Sequence, residues 1–185
     1  MTTLRTTIPV VALSGILLAT GAAPALADST APSGTVSAQA APTVTKGQTL
    51  AKLKTLTGNS ESSETNWDLA LGQYRTNKQA IKKYKFNWST DYCSASPDKI
   101  PGGYDFSLGC YRHDFGYRNY KHLVGQTAFR RDHKARIDKA LLGDLNRVCG
   151  QKFWADPYTP PVRKRLKAAC YKTATKYYNA VRALG

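Results

Sequence analysis

The residue types that can do chemistry are concentrated in Cys110-Tyr-Arg-His-Asp-Phe-Gly-Tyr-Arg-Asn-Tyr-Lys121. This stretch holds His113, one of only 3 histidines, next to Asp114, one of 12 acidic residues. Its pattern predicts a helix in which Cys110, His113 and Tyr117 stand at i, i+3 and i+7 and share a face. Asp114 lies about 100° further round, at roughly 3.6 residues per turn, and so serves a second ligand or element. An imidazole on one face can take a proton, while the carboxylate beside it can hold a cation or a basic side chain.

A partner for the imidazole comes from helix-pair geometry. Val124-Gly125-Gln126-Thr127 breaks the first helix, and a second is expected from about Ala128 to Cys149. In an antiparallel helical hairpin, residues equally far from the turn lie side by side, which sets Asp138 against His113. A carboxylate on one ring nitrogen fixes the tautomer and stabilises the imidazolium, leaving the other nitrogen to take a proton. No obvious Ser or Cys nucleophile accompanies the pair, so the chemistry to expect is activation of water by His113, with activity falling in acid as the base takes up a proton. The plain alternative is a salt bridge between helices.

Hydrolysis by water also needs something electrophilic to hold the developing oxyanion. Asp91 and Asp114 are candidates to hold a cation for this purpose, because pairing Cys93 with Cys110 would bring the loop bearing Asp91 against the helix bearing Asp114. Two carboxylates and a loop carbonyl such as that of Tyr92 form a hard oxygen set suited to Ca²⁺, with water and substrate completing its shell. Otherwise Asp91 caps a turn and Asp114 pairs with one of the many Lys and Arg residues. The histidine–aspartate phosphohydrolases are excluded, since they need another histidine before the His-Asp pair and none precedes His113. His122 and His133, downstream, read as helix-surface residues.

The elements that must position these groups are all helical, giving an all-α class: a small disulfide-stapled domain with a central antiparallel helix pair and a long loop before it. Residues 1–27 read as a signal peptide, with Arg5, an apolar run over Ile8–Thr20 and Ala25-Leu26-Ala27 as the cleavage site. Residues 28–47 are rich in Ala, Pro, Ser, Thr and Gly and read as a disordered arm or propeptide; residues 48–185 form the folded domain. Within it, Leu50, Leu53 and Leu56 mark a short helix. A second is expected from Trp67 towards Tyr84, with Leu69, Ala70, Leu71 and Tyr74 in its apolar pattern. Phe86 to about Gly109 is irregular, the central helix runs from about Leu108 to Leu123, and a last helix covers about Val162–Leu184, with Leu166, Ala169, Cys170, Thr173, Tyr177 and Val181 inward.

Four cysteines, Cys93, Cys110, Cys149 and Cys170, fit an oxidising compartment and two disulfides. Three connectivities are possible, and locality favours sequential pairing. Without a C-x-x-C, a zinc site is not expected. The net charge of +15 points to anionic partners: lipid headgroups, wall polymers or nucleic acid.

Phe86-Asn-Trp-Ser-Thr-Asp-Tyr-Cys93, the twelve-residue stretch from Cys110, and Arg136-Ile-Asp138 together resemble the secreted prokaryotic-type phospholipase A2 family, also found in fungi. The resemblance spans about Leu50 to Gly185, with three motifs in order. It implies an α-helical fold with two disulfides and Ca²⁺-dependent hydrolysis of the sn-2 ester of glycerophospholipids to a fatty acid and a lysophospholipid. It assigns His113 as general base and Asp138 as its orienting partner. Calcium would be held by Asp91, the Tyr92 carbonyl and Asp114, and Tyr117 would hydrogen-bond the aspartate. Tyr92 stands where family members often carry Leu, a change a carbonyl ligand tolerates. The glycine-rich calcium loop of the animal secreted enzymes is absent, as is the Cys after their His-Asp pair. The Gln151–Pro161 stretch, with Trp154, is longer than in close relatives and reads as a surface loop. The partner so implied is a phospholipid membrane or micelle, anionic given the charge, with no nucleic acid and a secreted monomer expected. The rival is a non-catalytic secreted basic protein that binds membranes or polymers on the same fold.

Overall fold

The computed structural model describes residues 43–94, 96–151 and 158–184. The expected signal peptide, the arm up to residue 42 and the centre of the 151–161 segment with Trp154 lie outside the described residues.

Helix α1, Lys46–Leu56, opens with a capping box: the Gln48 amide donates to Thr45 Oγ1 at 3.2 Å and the Thr45 amide to Gln48 Oε1 at 2.9 Å. The helix therefore begins two residues inside the stretch assigned to the arm. Helix α2, Glu61–Arg75, starts well before Trp67, because Ser60 accepts from the Ser63 amide and Glu61 and Glu64 fill the first turn. It buries Trp67, Ala70 and Leu71, but Leu69 points outward, 62 % exposed. The helix does not run on to Tyr84: Asn77, at φ 61°, ends it, and α3 is a single turn, Gln79–Lys82.

Within the irregular segment lies an antiparallel hairpin that alternation could not reveal, because its strands, β1 (Lys99–Ile100) and β2 (Tyr104–Asp105), are two residues each. Helix α4, Ser107–Val124, follows, and Asp105 accepts from the Ser107 amide at its start at 2.9 Å. The expected second helix of the pair is two helices. Helix α5, Gln126–Asp132, and helix α6, Lys134–Gln151, are separated at His133. That residue is half-buried, its ring stacked on Tyr120 at 4.2 Å, whereas His122 is exposed as expected. Helix α7, Pro160–Leu184, carries its two prolines in the first turn, where no amide is missed. Cys170 and Ala174 are its buried residues; Ala169, expected inward, is exposed. Among the described residues no helix is long and apolar enough to cross a membrane.

Helix α4 is buried on most sides and lies between two apolar clusters. One gathers Leu53, Leu56, Trp67, Phe115 and Phe129. The other gathers Tyr104, Phe106, Leu141, Leu145 and the Cys149–Cys170 disulfide under α7. Helix α6 packs on α4 on one side and α7 on the other. The α4–α6 crossing is close because of two glycines: a Cβ on Gly109 would come within 2.9 Å of Leu145, and one on Gly116 within 3.0 Å of Ile137. They sit one turn to either side of His113, on the same face. The closeness of the crossing is what lets an imidazole on α4 reach a carboxylate on α6.

Candidate active site

His113, in the middle of α4, meets Asp138, in the second turn of α6, with Nε2 3.0 Å from Oδ1. The same oxygen accepts from the Tyr117 hydroxyl at 2.5 Å, and Oδ2 accepts from the Lys134 ammonium at 2.8 Å. Asp138 is 1 % exposed, so all its solvation comes from these three groups. Burial pushes its carboxyl up, but hydrogen bonds from His113, Lys134 and Tyr117 outweigh burial and hold it below the usual carboxylate range. Burial and the anionic neighbour push the Tyr117 hydroxyl well up, so it stays a donor.

The depressed Asp138 carboxyl stabilises the folded chain above its unfolded value of about 4, and this contribution is lost as pH falls through the lower folded value. The Tm gap between parent and Asp138→Asn is therefore expected to narrow between neutral pH and about pH 3. Melts at stepped pH would show it; a constant gap would contradict it.

The second constellation is carried by the loop before the hairpin, stapled along α4. Asn119 accepts from the Asn87 amide and donates to the Asn87 carbonyl, each at 2.8 Å, and the Tyr111 hydroxyl donates to the Trp88 carbonyl at 2.7 Å. Asp114 Oδ2 accepts from Thr90 Oγ1 at 2.8 Å and from the Asp91 amide at 3.0 Å, and Cys93 is disulfide-bonded to Cys110. These ties hold the Asp91 backbone amide on the Asp114 carboxylate. Burial and the Asp91 charge keep the Asp114 carboxyl high; Ser94 and the shared contact with Asp114 keep Asp91 low. The Arg118 guanidinium lies against both, bonded to Asp91 and 3.6 Å from Asp114. The two carboxylates thus converge on one cationic group, and carboxylate oxygens with a carbonyl such as that of Tyr92 are the donor type calcium prefers. Among the described residues no three His, Cys, Asp or Glu side chains gather as a metal site, so any ion here relies on carbonyls, water or substrate for the rest of its shell.

His113 and Asp114 both open on a cavity of about 250 Å³. Its apolar wall includes Tyr92, Leu141, Val181 and Leu184, the last two from the end of α7. A base, a carboxylate and an apolar trough thus share one opening, the arrangement an ester with a long hydrocarbon tail requires.

Sequence reasoning passed over Lys134, Arg118, Thr90 and the glycines of the crossing. Lys134 and Asp138 are spaced i, i+4, as are Asp114 and Arg118, so a search for opposite charges on one helix face would have found both. Thr90 carries no comparable signal.

The "Prokaryotic phospholipase A2" family profile matches residues 63–185. The chain is 34% identical over 116 residues to a protein of Arthroderma benhamiae named "Secretory phospholipase A2", covering 63% of this chain and 71% of that protein. It is also 34% identical over 99 residues to a protein of the same name from Beauveria bassiana, covering 54% of this chain and 44% of the relative. With the buried His113–Asp138 contact and two disulfides inside the matched region, the chain belongs to the prokaryotic phospholipase A2 family, whose members are carboxylic ester hydrolases.

Proposed function

We propose that this phospholipase A2 is a secreted, calcium-dependent monomer that hydrolyses the sn-2 ester of glycerophospholipids at membrane surfaces, releasing a fatty acid and a lysophospholipid. The observation that carries this reading is that His113, backed by Asp138, opens together with Asp114 on an apolar cavity. Because Nε2 is turned to Asp138, its proton is donated there and Nδ1 is left to take one from water. Attack of that water on the ester carbonyl leaves an imidazolium, which Asp138 stabilises and which then protonates the departing alkoxide. Tyr117 and Lys134 keep Asp138 ionised and correctly turned while this happens. Asp91, Asp114 and the Tyr92 carbonyl would hold calcium, which when bound supplies positive charge for the ester carbonyl oxygen. The Leu141, Val181 and Leu184 wall takes the acyl chain.

An anionic surface is the partner best matched by α7, which holds seven Lys and Arg residues and no acid. Lys172, Lys176, Ala180 and Leu184 follow at successive i+4 positions, so the basic ridge leads to the cavity rim. A basic residue near an anionic bilayer is worth about 1 kcal/mol. Vesicle binding is expected to weaken with added salt, and Lys172→Gln with Lys176→Gln together to weaken it about tenfold or more. Sedimentation with phosphatidylglycerol vesicles measures this, and salt-independent binding would overturn it. Secretion is supported by the N-terminal pattern and by the names of the relatives.

Fatty-acid release from mixed-acyl phosphatidylcholine vesicles, with calcium and with chelator, tests the whole reading. Calcium-dependent release of the sn-2 acid is expected. Release indifferent to chelator would remove calcium from the proposal, and no release by folded, disulfide-intact protein on any headgroup would leave the non-catalytic binder.

A further inference from the structure

Lys134 has no part in the chemistry just described beyond its bond to Asp138, yet it spends its donors on two different elements. Its ammonium lies 2.8 Å from Asp138 Oδ2, 2.9 Å from the Val181 carbonyl and 3.3 Å from the Arg182 carbonyl. Those carbonyls belong to the last turn of α7, where no intrahelical donors remain, and a cation there also suits the negative end of the helix. Lys134 thus caps α7 from outside. The same last turn carries Val181 and Leu184, two residues of the cavity wall.

We infer that Lys134 is a positioning residue that fastens one wall of the acyl cavity to the carboxylate orienting His113. This rests on the phospholipase reading above, where Lys134 only holds Asp138, and extends that residue's part to the cavity wall. One ammonium sets both the rotation of the Asp138 carboxylate and the seating of the end of α7. Without it, Oδ2 is buried without a partner, the carboxylate turns to find one, and Oδ1 no longer aims at Nε2. The last turn of α7 loses its cap and the cavity wall loosens.

The test compares parent, His113→Ala and Lys134→Met on a short-chain dissolved phosphatidylcholine and on long-chain vesicles, both with calcium. Misaligning a catalytic group by about 1 Å costs on the order of 100-fold. Lys134→Met is expected to lose about that much kcat on the short-chain substrate, and in addition to raise KM on the long-chain one. Faster amide exchange in residues 178–184 is expected alongside. A lysine that merely held α7 in place would raise KM and leave kcat on the short substrate unchanged, which would overturn the inference.

Rescue gives a second arm. The described cysteines are all in disulfides, so the thiol of Lys134→Cys can be alkylated selectively with 2-bromoethylamine, which restores an ammonium at nearly the original reach. Recovery of kcat by this treatment but not by iodoacetamide is expected; equal recovery, or none, would overturn the inference. Should Lys134→Met not fold, Lys134→Gln takes its place in each arm, neutral but still able to donate. Activity in the parent that is lost in His113→Ala but intact in Lys134→Met sinks this inference alone. No activity in the parent sinks the phospholipase reading and this inference with it.

Discussion

Replacing His113 with alanine is expected to lower kcat by about 10³–10⁴-fold while the protein stays folded. The magnitude follows from removing a general base, which contributes up to about 10⁴-fold, and from the absence of a substitute. Of the other two histidines, His133 is stacked on Tyr120 and His122 is exposed near the C-terminal end of α4. Of the other titratable groups lining the cavity, Asp114 is held by Thr90 and the Asp91 amide, and Tyr117 donates to Asp138. The fold should tolerate the change, because the imidazole spans a contact between two helices whose packing rests on Gly109, Gly116, Ile137 and Leu145. Asp138→Asn should cost less than His113→Ala in kcat, since an amide can still accept from Nε2 but cannot stabilise the imidazolium. Tyr117→Phe should cost less again, as it removes one of three hydrogen bonds to Asp138. Initial rates of sn-2 acid release, beside circular dichroism melts, give the ranking. A folded His113→Ala with near-parent activity would place the base elsewhere and end the proposed mechanism.

The largest expected effect on stability belongs to a residue outside the site. Arg112 is 3 % exposed and uses every face of its guanidinium. Nε donates to the Leu56 carbonyl at 3.0 Å, one terminal nitrogen to both Asp144 oxygens at 2.8 Å, and the other to the Gly58 carbonyl and Ser63 Oγ. It therefore joins α4 to α6 and to the turn between α1 and α2. Burial pushes the Asp144 carboxyl up to about 6 in spite of Arg112 and Arg147, which shows how costly the burial of this charge is. Removing Arg112 alone leaves two carbonyls without their donor and the buried Asp144 with Arg147 alone, so Arg112→Met is expected to destabilise by about 3–5 kcal/mol. For a chain of this size that is a fall in Tm of about 10 °C. The loss should be smaller at about pH 5 than at neutral pH, because Asp144 then takes a proton and no longer needs a second cation beside it. Arg112→Met combined with Asp144→Leu should recover much of the stability, since an apolar pair of similar volume avoids the desolvation cost. Urea melts of the parent, Arg112→Met, Asp144→Leu and the double variant at two pH values decide it, and additive losses in the double variant would refute the argument.

Much of the site was legible because it obeys local periodicity. The spacing of Cys110, His113, Asp114 and Tyr117 assigns each to a helix face, and the break at Gly125 is visible in the residue types. Counting outward from that break reached the carboxylate that meets His113, Asp138, even though the expected second helix is interrupted at His133. The count survived because α5 and α6 still return the chain along α4. The errors fall where local pattern carries little information. Leu69 and Ala169 continue apolar patterns but face outward, because which part of a broad stripe is covered depends on the neighbours that dock there. The two-residue strands are too short to alternate visibly, and the capping box at Thr45 sits in a stretch whose composition resembles the arm before it.

By itself, then, the sequence determined the all-helical class, the face on which each reactive side chain stands and the excess of positive charge, because these depend on residue type and on spacing of a few residues. Only the tertiary structure decided that Asp138 has three partners and not one, that Asp91 and Asp114 meet the same Arg118 guanidinium, and that the end of α7 walls the cavity. Those outcomes depend on contacts between parts of the chain far apart in sequence: Gly109 and Gly116 let α4 approach α6, the Cys93–Cys110 disulfide and Thr90 tie the loop to α4, and Lys134 ties α6 to the end of α7.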